Sequence, residues 1–114
     1  MRAIVLVAVL GCASNPQATA QHGACTALEG KLFTSTTEHE CGLGPNGPVP
    51  CHWHVTIDTG DGSSSVMTWS YSDVEQTLRV TCDGTAITSA MPAYAGTFDP
   101  ATATLTWDSV DYAE

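Results

Sequence analysis

The chain has 114 residues, 43% of them hydrophobic, and a formal net charge of −9 from twelve acidic residues against three lysines and arginines. That length supports one domain with a modest core. The acidic balance excludes a basic patch for nucleic acid or anionic head groups, so no nucleic-acid partner is expected.

The chain starts MRAIVLVAVLGCAS, with one positive charge, Arg2, before an apolar run over residues 3–10 and then small residues. This order is that of a secretory signal, and the run is too short to span a bilayer as a mature helix. Its end, VLGC, resembles the lipobox of bacterial lipoproteins. The resemblance implies cleavage after residue 11, with Cys12 as the acylated first residue and membrane anchor, most plainly at the outer membrane of a cell envelope. Several acyl chains on one residue hold a protein stably where a single palmitate-like chain does not. An ordinary signal cleaved near Ala20 is the alternative. On either reading Cys12 leaves the disulfide count, and Cys25, Cys41, Cys51 and Cys82 form an even set in an exported domain. Only Lys31 and Arg79 then remain as basic residues.

Residues 13–24, ASNPQATAQHGA, are small, polar and aperiodic, and read as a flexible tether in which His22 carries no role. From Cys25 onward the pattern has a period of two. In residues 52–58, Trp53, Val55 and Ile57 alternate with His52, His54, Thr56 and Asp58. Met67, Trp69 and Tyr71 share one face of the next run. Leu78, Val80 and Cys82 oppose Thr77, Arg79 and Thr81, and Ala103, Leu105 and Trp107 oppose Thr104, Thr106 and Asp108. Such alternation marks half-buried antiparallel strands. GDGSS, CDGT and FDPAT separate the runs with turn chemistry. Apart from a short turn near residues 26–30, no helix is expected. The fold class predicted over residues 25–114 is all-β: an antiparallel up-and-down meander closing into a small barrel or sandwich, stapled by disulfides.

The last third, YAGTFDPATATLTWDSVDY, resembles the closing strands of small lipocalin-like β-barrel domains in bacterial lipoproteins. The resemblance covers residues 77–112 and implies an up-and-down barrel, in some members with an apolar cavity. No catalytic residue comes with it. Those domains often have glycine in the final turn, where this chain has Ser109 after Asp108.

Four cysteines allow three connectivities. Cys41 and Cys51 bracket GLGPNGPVP, whose glycines and prolines make a short turn-prone loop, so closure between them is favoured, with Cys25 paired to Cys82. If Cys41 faces Cys51 in one ladder joining residues 31–40 to 52–58, then Glu40 faces His52 and Glu38 faces His54. His39 meets Trp53 on the other face. Two imidazoles and two carboxylates on one face would suit zinc or copper. The plainer expectation is a solvent-facing patch of weak pairs.

Elsewhere the chemistry is sparse. DTGDG lacks the acidic spacing of a calcium loop, and SSS lacks a nucleophile elbow. Trp53, Trp69, Tyr71, Tyr94, Phe98, Trp107 and Tyr112 are expected in the core, some of them lining a cavity or binding face. The reading is a lipid-anchored envelope protein, not an enzyme, with no cofactor and a binding or structural role toward a protein partner or a small apolar ligand. A zinc or copper protein using His52, His54, Glu38 and Glu40 is the alternative.

Overall fold

The computed structural model describes residues 22–91 and 93–114; the signal, Cys12 and most of the tether lie outside them. Strand β1 (His22–Gly23) leads into a single 3-10 turn, Thr26–Leu28. The remaining strands are β2 (Lys31–Ser35), β3 (His39–Gly44), β4 (Gly47–Cys51), β5 (His54–Thr59), β6 (Ser65–Tyr71), β7 (Val74–Asp83), β8 (Ala86–Ser89), β9 (Ala95–Asp99), β10 (Thr104–Trp107) and β11 (Val110–Ala113). Eight of these, β2 and β5 to β11, close into one antiparallel barrel, each strand beside its successor and β11 returning to β2. The predicted meander is therefore present and closes as a barrel, which leaves no open edge among those strands.

Closure follows from the alternation. Phe33, Val55, Ile57, Met67, Trp69, Leu78, Val80, Ile87, Leu105, Trp107 and Tyr112 point inward and are buried. Their neighbours Thr77, Arg79 and Thr88 face out. A strand one residue out of register would expose this whole set, so the hydrophobic pattern fixes the pairing. Ring stacking fills the centre: Trp69 lies edge-on to Trp107 at 6.2 Å and stacked on Tyr71 at 4.0 Å. Gly96 makes room there, because a β-carbon at that position would collide with the Thr106 carbonyl and sit 3.0 Å from the Trp107 ring.

The barrel has two dissimilar ends. At one, the turns after β5, β7 and β9 gather with the 3-10 turn and β1. His22 and Gly23, within the stretch expected to be tether, pair with Asp83 and Cys82 of β7. Disulfide Cys25–Cys82, with Cα atoms 5.1 Å apart, fastens this entry. The Cys25 amide donates to the Ser65 hydroxyl at 2.8 Å, and Leu28 is buried behind it. We call this the entry end.

At the other end lie the turns after β6, β8 and β10, and between β2 and β5 the chain leaves the barrel to form the separate β3–β4 hairpin. The final turn places Asp108 at φ 50° and Ser109 at φ 68°. Both residues are left-handed, the conformation of a tight two-residue hairpin turn, so Ser109 keeps the geometry that glycine would otherwise supply. We call this the hairpin end.

Candidate functional site

The hairpin end is built around Ser35. Its hydroxyl donates to the Thr37 carbonyl at 2.8 Å and accepts from the Trp53 amide at 2.9 Å. The Ser35 amide donates to the Trp53 carbonyl at 2.8 Å. A buried serine that bonds two residues ahead offers the backbone an alternative to the ladder. β2 therefore stops at Ser35, and the chain turns out through residues 36–38.

This exit corrects the expected ladder. Residues 31–40 do not form one strand; β2 pairs with β5 as Thr34 with His54 and Phe33 with Val55. Glu38 and Glu40 consequently do not face His54 and His52. Glu40 instead faces Pro50 within the hairpin. The two favoured disulfides do form, and Cys41–Cys51 closes the hairpin with Cα atoms 5.8 Å apart. The β-ladder partner of Cys51 is His39, and the register shifts between Glu40 and Leu43, so the bridge spans an irregularity rather than a facing pair. The shift is legible only in hindsight: Gly42 at φ 90° and its proline-rich opposite strand cannot sustain a regular ladder.

Each histidine of this region is tied to a local partner. His52 Nδ1 donates to the Ser35 carbonyl at 2.7 Å. His54 Nδ1 lies 3.2 Å from the Thr34 hydroxyl, and His39 Nε2 lies 3.3 Å from the Thr37 hydroxyl. Among the described residues no three His, Cys, Asp or Glu side chains are grouped to hold a metal ion. The ligand set of His52, His54, Glu38 and Glu40 is thus not assembled.

His39 does meet Trp53, stacked at 4.4 Å with the planes 21° apart. Trp53 was expected inside the core; it is half-buried at the rim, edge-on to Tyr71 at 6.0 Å. Its indole N–H donates to the Glu40 carbonyl at 3.0 Å. An amphipathic ring at a rim has an apolar body for the core and a polar tip for the hairpin, which is what Trp53 uses. Burial pushes the Tyr71 hydroxyl's pKa up, reinforced by Tyr94 and by Asp108.

The hairpin presents apolar side chains outward. Leu43 is 80% exposed and Val49 43%, between the exposed prolines Pro48 and Pro50. At the same end of the barrel stand Val74 at 44% and Met91 at 47%. Met91 is held there by the Gln76 side-chain amide, which donates to its sulfur at 3.5 Å. Of the five large exposed hydrophobics among the described residues, only Leu32, on the wall of the barrel, lies elsewhere. Sequence periodicity missed these four because each sits next to a turn or among glycines and prolines, where a period of two has no meaning.

The entry end is different. A groove of about 190 Å³ opens there between the 3-10 turn and the turn after β7, lined by Cys25, Leu28, Cys82, Thr85, Ile87 and Phe98 among others. Both cations of the described residues are engaged toward this end, Lys31 with Glu114 at 3.0 Å and Arg79 with Asp61 at 2.6 Å. Asp61 also accepts from the amides of Ser63 and Ser64. The Ser63 amide, the Ser63 and Ser64 hydroxyls and, more weakly, Arg79 lower its pKa to about 2. Among the described residues no helix is long and apolar enough to cross a membrane.

No protein family, no curated protein and no solved structure matches this chain.

Proposed function

We propose that this chain is a cell-envelope lipoprotein, acylated at Cys12, whose barrel is a non-catalytic binding domain for a protein partner, engaged through the hairpin end. The observation that carries the reading is that Leu43, Val49, Val74 and Met91, four of the five large exposed hydrophobics among the described residues, all lie at the end of the barrel remote from the chain entry. Scattered exposed hydrophobics are ordinary; a group of them on one rigid face marks an interaction surface. The disulfide and the prolines hold the tip in one shape, which cuts the ordering cost of association. An anchor entering at the opposite end would leave this face pointing away from the bilayer.

A small apolar ligand is a second reading, favoured by the groove between Leu28, Ile87 and Phe98. It ranks lower because the barrel interior beyond the groove is filled by fully buried side chains.

The test uses the native protein extracted from envelopes in mild detergent. Mass spectrometry is expected to find an acylated Cys12 at its N-terminus. Native mass spectrometry is expected to find it in a complex that the Leu43→Ser, Val49→Ser variant no longer forms. An unmodified N-terminus after Ala20 contradicts the anchor, and an identical complex in the variant contradicts the binding face.

A further inference from the structure

Resting on that reading of the hairpin end, the geometry points to the chemistry of the partner: we infer that this face docks a basic, leucine-like segment of a polypeptide, with lysine or arginine flanking apolar side chains. The placement of charge selects this chemistry. Glu38, Glu40, Asp73, Glu75, Asp108 and Asp111 all lie at the hairpin end, and all are exposed. No lysine or arginine of the described residues is there to offset them, since Lys31 and Arg79 are committed to Glu114 and Asp61.

Acidic and apolar groups meet where the hairpin touches the turn after β6. The Ser72 hydroxyl donates to the Glu40 carboxylate at 3.5 Å, joining the hairpin to the turn after β6. A β-carbon on Gly42 would sit 3.4 Å from the Asp73 side chain, so that carboxylate stands against the hairpin one residue from Leu43. Val74 follows Asp73 directly, and Glu75 follows Val74. Asp108 is near enough to raise the pKa of both Tyr71 and Tyr112. Among the described residues, the side chains that hydrogen-bond to these carboxylates are neutral: Ser72 for Glu40, Ser70 for Glu75 at 3.4 Å and Thr106 for Asp111 at 2.7 Å.

Like charges gathered at one end of a folded domain build a negative field, and a ligand that brings cations is attracted to it. The same field steers an oppositely charged partner and rejects anionic ones, while the apolar tips supply the anchoring contacts. An anionic bilayer surface is rejected by this arrangement, which is why the occupant is a polypeptide.

The probes are short synthetic peptides added to the isotopically labelled full chain and followed by NMR: alternating lysine–leucine, serine–leucine, glutamate–leucine and lysine–glycine. The lysine–leucine peptide is expected to shift the amides of Leu43, Asp73, Val74 and Met91 selectively. Its affinity should fall about tenfold or more on raising salt to about 0.5 M, and by a similar factor in Glu40→Gln, Asp73→Asn and in Leu43→Ser. These residues are exposed, and unchanged spectra elsewhere will show that the variants fold. Equal binding of serine–leucine at this end overturns the charge selection and leaves the partner face standing. Equal binding of lysine–glycine, or shifts spread over the barrel wall, overturns the inference by removing the apolar anchor. If no peptide shifts this end, the inference falls; if the native complex also survives in the Leu43→Ser, Val49→Ser variant, the binding face falls with it.

Discussion

The indole N–H of Trp69 reaches across the barrel interior to donate to the hydroxyl of Tyr112 at 3.2 Å, joining β6 to β11. Both residues are buried, and Trp107, edge-on to Trp69, has an indole nitrogen with no hydrogen-bond partner among the described residues. A buried donor without a partner is already a desolvation cost, which its removal relieves, whereas a buried hydroxyl deprived of its donor loses its compensation for desolvation.

The two tryptophans are therefore expected to respond unequally to the same change. Trp69→Phe should destabilise the domain more than Trp107→Phe by about 1–3 kcal/mol, because only the first orphans a buried group. Urea unfolding of the two variants measures the difference, and equal losses would contradict the role of the Tyr112 contact.

Ser109 occupies a left-handed conformation at φ 68° beside Asp108 at φ 50°. That backbone costs a residue with a β-carbon about 1–2 kcal/mol relative to glycine, partly offset by the greater freedom of glycine in the unfolded chain. Ser109→Gly should thus stabilise by about 0.5–1 kcal/mol. Gly96→Ala should do the reverse and disrupt the packing of Trp107, since the added carbon meets the Thr106 carbonyl. Thermal melts of both variants check the opposite signs.

Much of this architecture is legible in the sequence. Period-two runs and Asp-Gly turns suffice for the meander, because inward and outward residues differ in polarity at nearly every strand. The pairing of Cys41 with Cys51 follows from the turn-prone loop between them. The register of the hairpin does not. It depends on Ser35 bonding to Thr37 and Trp53 and on β2 having to close against β11, both of which are long-range or side-chain events. A ladder extended in a straight line from residue 31 to residue 40 ignores that constraint, and the histidine–glutamate patch was its product. The entry strand His22–Gly23 was likewise hidden, since a two-residue strand carries no periodicity.

Stability should fall at both pH extremes for identifiable reasons. The Asp61 carboxyl has its pKa lowered from 3.8 to about 2, so its contribution is present above 3.8 and lost as pH falls through about 2. Tyr112 has its pKa raised above 10.0, first by burial and then by Asp108, with the Trp69 hydrogen bond opposing. Its neutral form is the favoured one in the fold, so stability is unaffected below 10 and is lost as pH rises from there through the folded value. Asp61→Asn should flatten the acid limb of a stability–pH curve and leave the alkaline limb unchanged.

The two disulfides should separate into different roles. Cys25–Cys82 spans 57 residues and Cys41–Cys51 spans 10, which in the chain-entropy account correspond to about 4 and about 3 kcal/mol. Replacing Cys25 and Cys82 by serine should lower the unfolding midpoint more and loosen β1. Replacing Cys41 and Cys51 should leave the barrel's amide exchange protected while the β3–β4 amides exchange quickly. Loss of protection throughout the barrel in the second variant would contradict the separateness of the hairpin.

Most direct for the central claim is site-specific photocrosslinking in intact cells. A photoreactive amino acid placed at Leu43, on the hairpin, is compared with one at Leu32, equally a large exposed hydrophobic but on the barrel wall. A discrete protein adduct at position 43 and none at position 32 is the predicted result. Adducts at both positions alike, or at position 32 alone, would contradict the hairpin end as the binding face.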